Sequence, residues 1–174
     1  MKSSLRFFPS WNPTSGKEVT GLINLINYVS KHCESKVWCE IGSRLGESAL
    51  LIGSFDFVEK IHCIDPHVDQ DFHKFLEHIG SKIHHTAKKS QDVYDQFETE
   101  SMDVIYIDGD HSYEQVKDDL SFALRVIKKK GFICGHDYSE QHPGVKQAVN
   151  EFLKDNNLEM GRTFMDSSFA IMKP

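Results

Sequence analysis

Short apolar runs alternate with segments of helical spacing along most of this chain. The runs that we predict as parallel strands are Val37–Ile41, Lys60–Ile64, Ile83–Thr86, Met102–Ile107 and 132–134. Between these runs, apolar side chains recur every three or four residues, which places them on one face of a helix. This alternation predicts an α/β domain in which helices cover both faces of a mostly parallel sheet.

The helical segments and the C-terminal tail complete the predicted order of elements. Helices are predicted at 16–33, 47–55, 92–97, 112–130 and 143–156, and one more carries Phe72, Phe75, Leu76 and Ile79. Ser112 and Gln115 have the spacing of a capping box for the long helix, which closes with three lysines at 128–130 and ends at Gly131. Two apolar runs at 162–165 and 169–172 predict an antiparallel hairpin. We therefore expect a three-layer, doubly wound αβα fold with a mostly parallel seven-stranded sheet and a C-terminal antiparallel hairpin.

The composition is that of one ordinary globular domain. At 174 residues and 20.0 kDa the chain is long enough for one sizeable core, so we treat 1–174 as a single domain with an irregular lead at 1–15. A formal net charge of -6 argues against nucleic acid as a partner, because binding a phosphate backbone depends on Lys and Arg. No apolar run is long enough for a signal peptide or a membrane span, and the cysteines form no CxxC pair. These features predict a cytoplasmic protein with no membrane partner.

Polar residues follow the first two strands of the predicted sheet, at the edge where ligands bind in folds of this kind. Gly42 and Gly46 bound a G-x-x-x-G turn whose backbone can approach a ligand closely, with a helix N-terminus behind it. Asp65 follows the second strand about 19 residues after Gly46, and an acid at this point can accept both hydroxyls of a ribose. Two alternatives stay open, a purely structural glycine turn and a simple Asp–Pro turn. The combination of the two features favours a nucleoside site.

Three segments resemble one enzyme family. Residues 39–48 (CEIGSRLGES) are similar to the first motif of class I methyltransferases. Residues 106–113 (YIDGDHSY) and 135–138 (GHDY) resemble the methyltransferase 24 family, which is related to metal-dependent sugar and catechol O-methyltransferases. The resemblance implies a Rossmann-like methyltransferase fold and S-adenosylmethionine as cofactor. It also implies a set of cofactor-binding positions: Glu40, Gly42, Ser43 and Gly46 around the methionine part, Asp65 at the ribose, Ser90 near the adenine, and Asp108 bordering the cofactor.

A second group of polar residues follows the fourth and fifth predicted strands. Asp108, Asp110 and His111 come after one strand, and His136 and Asp137 come after the next. Adjacent parallel strands bring their carboxyl ends to one edge of the sheet, so Asp108 and Asp137 can share a magnesium ion. Such an ion stabilises a substrate hydroxyl as an alkoxide, and His111 can take the proton.

The related O-methyltransferases bear on both the base and the metal. In their pattern the general base lies three residues beyond the first metal aspartate, which is His111 here, and Asp110 is the competing candidate. His136 departs from the pattern, because the relatives usually carry a carboxylate or an amide at this ligand position. With Asp108, His136 and Asp137 as ligands, manganese, iron or zinc is compatible as well as magnesium. The structural alternative is that 108–112 only caps the next helix.

These features predict an S-adenosylmethionine-dependent methyltransferase that acts on the hydroxyl of a small molecule, assisted by magnesium or another divalent cation. A cofactor-binding or nucleoside-binding protein without transferase activity is the second hypothesis. An NAD-binding Rossmann domain is disfavoured, because the turn is G-x-x-x-G rather than G-x-G-x-x-G and the chain ends in a hairpin.

The acceptor pocket and the other histidines are less constrained by the sequence. A homo-oligomer can complete a short subunit's pocket from a neighbour. The aromatic residues that are candidates for either this pocket or the core are Phe7, Phe8, Trp11 and Tyr138. The histidines that we interpret as mostly surface or loop residues are His62, His67, His73, His78, His84, His85 and His142.

Overall fold

The computed structural model describes residues 17–67 and 82–174. In chain order the helices and strands are α1 (Lys17–Val29), β1 (Val37–Ile41), α2 (Glu47–Gly53), β2 (Lys60–Ile64), β3 (Ile83–Thr86), a 3-10 helix (Ser90–Gln96), β4 (Met102–Ile107), α3 (Tyr113–Val126), β5 (Ile127–Gly135), α4 (Pro143–Asp155), β6 (Arg162–Thr163) and β7 (Phe169–Met172). The strands β1 to β4 begin and end where the sequence predicts. The lead at 1–15, with its three aromatic candidates, and the helix predicted around 72–79 lie outside the described residues.

The strands form one seven-stranded sheet in the order β3-β2-β1-β4-β5-β7-β6. The strands β1 to β5 are parallel to one another, and β7 pairs antiparallel with both β5 and β6. Strand order reverses between β1 and β4, and ligands of doubly wound sheets bind beside this reversal. The predicted fold class, including the C-terminal hairpin, is confirmed.

Apolar layers cover both faces of the sheet. On β4, Ile105 and Ile107 pack in the layer that contains α3 and α4, while Val104 and Tyr106 pack in the layer that contains α1 and α2. Alternate residues of one strand therefore enter different layers, and all of them are buried. Because both faces are covered, an inner strand such as β4 appears in the sequence as a mainly apolar run rather than as an alternating pattern.

The junction between α3 and β5 differs from the prediction. We predict a helix to residue 130 and a strand at 132–134, but α3 ends at Val126 and β5 begins at the next residue. Ile127 pairs with Met102 on β4, and Lys128 Nζ lies 2.7 Å from Oδ1 of the buried Asp103. These contacts with β4 hold the segment in the sheet. The three lysines at 128–130 therefore lie in a strand instead of closing a helix.

Cysteines and histidines occupy the strands as well as the loops. The cysteines are free, and Cys39, Cys63 and Cys134 are buried on β1, β2 and β5. The interpretation as surface or loop residues is wrong for His62 and His85, which are partly buried within β2 and β3, whereas His84 is exposed on β3. No helix in the two described stretches combines the length and the apolar character that crossing a membrane requires.

Candidate active site

A cleft opens at the carboxyl ends of the strands, beside the point where the strand order reverses. Its volume is about 1000 Å³. The predicted site residues that line it are Gly42, Ser43, Asp65, Ser90, Asp108, Asp110, His111 and Asp137. The predicted residues that are not part of its lining are Glu40, Gly46 and His136. The fold therefore brings the residues after β1 and β2 and those after β4 and β5 to one cleft.

The turn after β1 requires a glycine at position 42. The φ angle of Gly42 is 91°, in the left-handed region, and a Cβ there would lie 2.2 Å from the backbone oxygen of Asp108. The Gly42 N–H donates to the Ile64 carbonyl at 2.9 Å, which ties the turn to the end of β2. Gly46, with a φ of 81°, caps the start of α2. The backbone between β1 and α2 therefore packs closely against the backbone at the end of β4.

Asp65 at the end of β2 is buried and held by two backbone donors. Its Oδ2 accepts the Arg44 N–H at 2.7 Å, and its Oδ1 accepts the His67 N–H at 2.7 Å. The second of these bonds is the local turn that an Asp–Pro sequence favours, so the structural alternative describes part of its role. The exposed His67 ring also has its Nδ1 3.5 Å from Oδ1, whereas the second acceptor site of Oδ2 remains for a ligand in the cleft.

Glu40 is a fully buried acid on β1, two residues before Gly42. Its Oε2 lies 3.8 Å from Cys63 Sγ, and its Oε1 has no hydrogen-bond partner of acceptable geometry among the described residues. Because burial disfavours the charged form, the pKa of Glu40 is raised from 4.5 to about 8. A buried carboxyl of this kind, next to a ligand cleft, suits a positively charged ligand.

Sequence reasoning missed Asp119 on α3, which lines the cleft and is 1% exposed. Its Oδ1 accepts hydrogen bonds from Ser90 Oγ and, at 3.0 Å, from Gln115 Nε2. Its Oδ2 has no hydrogen-bond partner within the described part of the chain. Burial raises the pKa of Asp119 to about 6, so at neutral pH the group is mainly ionised. Asp119 therefore offers one unused carboxylate oxygen at the Ser90 end of the cleft.

Asp108, His136 and Asp137 come together at the opposite end, after β4 and β5. His136 Nδ1 lies 3.7 Å from Asp108 Oδ1 and 3.2 Å from Asp137 Oδ1. One ligand atom from each of the three residues lies within 4.8 Å of the others. Burial raises the pKa of Asp108 to about 6. Burial also opposes protonation of His136, but the two carboxylates outweigh it and raise the pKa of His136 to about 9, so a proton and a divalent cation compete for Nδ1.

His111 contacts the same carboxylate from the other side. His111 Nε2 lies 2.7 Å from Asp137 Oδ2, and the His111 side chain is 47% exposed, so a substrate can reach it. Asp110, the competing base, accepts the Ser112 N–H at 2.6 Å, and hydrogen bonding to Ser112 lowers the pKa of Asp110. A carboxylate with a lowered pKa is a weaker base at neutral pH. The geometry therefore favours His111.

The start of α3 agrees with only part of the capping prediction. Ser112 is the N-cap residue, but its hydroxyl makes no capping bond, and Gln115 donates to Asp119 instead. The predicted capping box is therefore wrong, because a buried carboxylate takes the Gln115 amide and Asp110 accepts the Ser112 N–H. Capping explains the position of Asp110, but it explains neither Asp108 nor His111.

His142 lies in the loop before α4 and is partly exposed, as predicted, but the structure also adds its side chain to this cluster. His142 is the N-cap residue of α4, and its Nε2 lies 3.4 Å from Asp137 Oδ1. The ring centroids of His142 and His111 are 4.4 Å apart. No spacing in the sequence links the two histidines, because the contact depends on how α4 packs against the start of α3.

Tyr138 packs toward the core rather than into the cleft. Its hydroxyl donates to Asn150 Oδ1 on α4 at 2.7 Å, and its ring centroid lies 5.9 Å from that of Phe169 on β7. Tyr138 is the one aromatic candidate for an acceptor pocket that lies within the described residues, and it belongs to the partly buried edge of the core.

Sequence comparison identifies related proteins. Residues 39–138 match the family model of the methyltransferase domain. A protein of Acanthamoeba polyphaga mimivirus, itself uncharacterized, is 29% identical in an alignment of 148 residues that covers 77% of this chain and 66% of that protein. The chain therefore matches slightly less than two thirds of the length of this relative.

Solved structures share the fold at low sequence identity. A caffeoyl-CoA O-methyltransferase-like protein from Staphylococcus aureus superimposes with a TM-score of 0.71 at 14% identity, covering 98% of this chain and 92% of that one. An N-methyltransferase from Bradyrhizobium japonicum gives 0.64 at 13% identity, with 90% and 96% covered. An rRNA methylase-like protein from Clostridium thermocellum gives 0.67 at 17% identity, with 87% and 93% covered. The shared fold alone does not select among these acceptors.

Proposed function

The chain belongs to the methyltransferase domain family, among the class I S-adenosylmethionine-dependent methyltransferases, and from this premise we propose that it methylates a hydroxyl of a small molecule with the help of a divalent cation. The observation that carries the proposal is the cluster of Asp108, His111 and Asp137 at one end of the cleft. A hydroxyl must lose its proton as it attacks a methyl group, and an imidazole held by a carboxylate can take that proton. The cluster therefore favours oxygen as the methyl acceptor.

The cleft suits S-adenosylmethionine, which carries a positively charged methionine part, a ribose and an adenine. Asp65 would accept the ribose hydroxyls with the acceptor sites that its two backbone donors leave unused. Asp119 Oδ2 needs a donor, which the exocyclic amino group of adenine would supply. Glu40 would balance the positive charge of the methionine part. When bound, the cofactor supplies the methyl group on a sulfonium centre.

The residues after β4 and β5 also fit a divalent cation. Asp108, His136 and Asp137 offer two carboxylates and one imidazole, with ligand atoms within 4.8 Å of one another. Two hard oxygen donors suit magnesium or manganese, and one nitrogen donor is compatible with either. When bound, the cation supplies charge stabilisation at the acceptor oxygen.

The proton would be removed by His111. Asp137 Oδ2 lies 2.7 Å from His111 Nε2, and a proton on Nε2 that is donated to this carboxylate leaves the lone pair on Nδ1. His111 Nδ1 would then take the proton of the acceptor hydroxyl, so that its oxygen becomes a competent nucleophile for the methyl group that the cofactor would supply. Asp137 fixes the ring and stabilises the imidazolium that results, as carboxylates do for other catalytic histidines.

The test combines a binding measurement with a turnover measurement. We expect calorimetric titration to show binding of S-adenosylhomocysteine and no binding of NAD. In a transfer assay with methyl-labelled S-adenosylmethionine and a panel of catechols and hydroxylated sugars, we expect methylated product in magnesium and much less in chelator.

Two matched variants then separate the candidate bases. We expect His111→Gln to lower kcat by about 100-fold or more, and Asp110→Asn to change it by less than about fivefold. Binding without turnover on any acceptor would favour the cofactor-binding hypothesis instead. The reverse ranking of the two variants would make Asp110 the base.

A further inference from the structure

A second group of metal-binding side chains lies beside the first and shares one residue with it. His111 Nε2 and His142 Nε2 lie 2.7 Å and 3.4 Å from the two oxygens of Asp137. Ligand atoms of these three residues all lie within 4.8 Å of one another. The first group contributes two carboxylates and one imidazole, whereas this group contributes one carboxylate and two imidazoles.

Helix packing sets the position of the two histidines. His142 is the N-cap of α4, and Gly144 in the first turn of this helix lies against the backbone of His111. A Cβ on Gly144 would lie 2.6 Å from the His111 carbonyl oxygen, so the absence of a side chain permits this approach. Tyr113 on α3 also donates a hydrogen bond to Glu151 on α4. The imidazoles therefore face each other because the two helices are joined, and not through chance contact of two long side chains.

The donor set selects a class of ion. Imidazole nitrogen binds zinc, cobalt, nickel and copper more readily than magnesium, which prefers oxygen. Two histidines with one carboxylate are a common ligand set for zinc, with further positions open to water. The His111 side chain is 47% exposed and that of His142 31%, so an ion from solvent can reach both.

We propose that His111, Asp137 and His142 form a second cation site, which takes zinc or a similar ion and inhibits methyl transfer when it is occupied. The inhibitory part rests on the proposed function, in which His111 Nδ1 accepts a proton. An ion on Nε2 displaces the ring's proton to Nδ1, and a protonated Nδ1 has no lone pair for the hydroxyl. A divalent charge next to the ring also opposes formation of an imidazolium.

The binding test uses cobalt(II), whose visible absorption reports coordination by nitrogen, in excess magnesium that occupies oxygen-rich sites. Variants to compare with the unmodified protein are His142→Gln, His136→Gln and, as a matched control, His32→Gln. His32 is exposed and its Nδ1 lies 2.7 Å from the Tyr28 carbonyl oxygen, away from the cluster. We expect His142→Gln to weaken cobalt binding by about tenfold or more, and the other two variants to change it by less than about threefold.

Two results would overturn the second site. Unchanged cobalt affinity in His142→Gln would show that this residue is not a ligand. Equal losses in His142→Gln and His136→Gln would show one ion shared by both groups rather than a separate site.

Inhibition is measured on the same variants and separates this inference from the proposed function. We expect zinc to inhibit methyl transfer by the unmodified protein, and we expect the concentration for half inhibition to rise about tenfold in His142→Gln relative to that variant's own uninhibited rate. If cobalt binds through His142 but no inhibition is seen, the second site stands. The inhibitory role is then refuted, and with it the role of His111 as base. Absence of turnover in magnesium buffer free of zinc and cobalt, with cobalt still bound through His142, would count against the proposed function and against inhibition, and the second site would stand.

Discussion

Replacing Glu40 by glutamine isolates the effect of one buried carboxyl on stability. Glu40 is fully buried on β1, and its Oε1 has no hydrogen-bond partner of acceptable geometry among the described residues. Burial raises its pKa from 4.5 to about 8. In the unfolded chain the carboxyl ionises near its ordinary pKa, whereas in the folded protein it stays protonated over a much wider range. Glutamine has nearly the same shape as the protonated acid and does not ionise.

The size and the sign of the effect follow from this difference in pKa. Since the folded state holds the proton more tightly, the contribution of Glu40 to stability is greatest below pH 4.5 and is lost as the pH rises toward about 8. Each pH unit in this window removes about 1.4 kcal/mol, so the loss at neutral pH is about 3 kcal/mol. For a chain of this size, that corresponds to roughly 6 to 12 °C in Tm.

Urea unfolding of the ligand-free protein at about pH 5 and about pH 8 measures the effect. We expect Glu40→Gln to gain about 3 to 4 kcal/mol over the unmodified protein between these two conditions. Any constant difference between an amide and an acid cancels in this comparison. Glu98→Gln, at an exposed position, is the matched control and should change stability equally at both pH values. A Glu40→Gln curve parallel to that of the unmodified protein would refute the reasoning.

Two further predictions concern ligand binding. In Gly42→Ala, the new Cβ would lie 2.2 Å from a backbone oxygen at a φ of 91°, so we expect a loss of roughly 2 kcal/mol or more in urea unfolding and loss of S-adenosylhomocysteine binding. Gly109→Ala, whose nearest contacts are 3.8 Å, is the control for stability and should unfold like the unmodified protein. In Asp119→Asn, Ser90 and Gln115 still donate to the side-chain oxygen, so the amide nitrogen takes the place of the unused Oδ2. We expect the calorimetric affinity for S-adenosylhomocysteine to fall by about tenfold in this variant and to stay unchanged in Asp118→Asn, at an exposed position. An affinity equal to that of the unmodified protein would remove Asp119 from the binding site.

The strands could be predicted because burial on both faces of the sheet produces a recognisable run of apolar residues in the sequence. The strands β1, β2 and β4 are short, mainly apolar runs that a turn residue or a polar residue ends, because helices cover both faces of the sheet. The polar residues at the carboxyl ends were predictable for a related reason. Strand order in a doubly wound sheet places those ends at one edge, so spacing along the chain becomes proximity in space. Asp108 and Asp137 were brought together in this way.

Features that depend on contacts between distant residues could not be predicted. The segment after Val126 has the composition of a helix end, and only its pairing with β4 and the contact of Lys128 with Asp103 place it in a strand. His142 reaches Asp137 through helix packing, which leaves no spacing to detect.

Asp119 is a different case, because the sequence did contain a signal. It follows Val116 by three residues and precedes Leu120, so helical spacing places this acid on the buried stripe of α3. A charged residue among apolar positions of a helix is rarely buried without a polar function.

The acids of the cleft couple the stability of the fold to its ligands. Burial raises the pKa of Glu40 to about 8 and the pKa values of Asp108 and Asp119 to about 6. Each of these groups weakens the folded state once it is ionised, so stability alone does not account for their positions. A positively charged cofactor, and the divalent cation that we propose, would favour the ionised acids. Their binding would therefore stabilise the protein increasingly as the pH rises through about 6 to 8, and most fully above about pH 8, where the ligand-free protein has lost the contribution of these acids to stability.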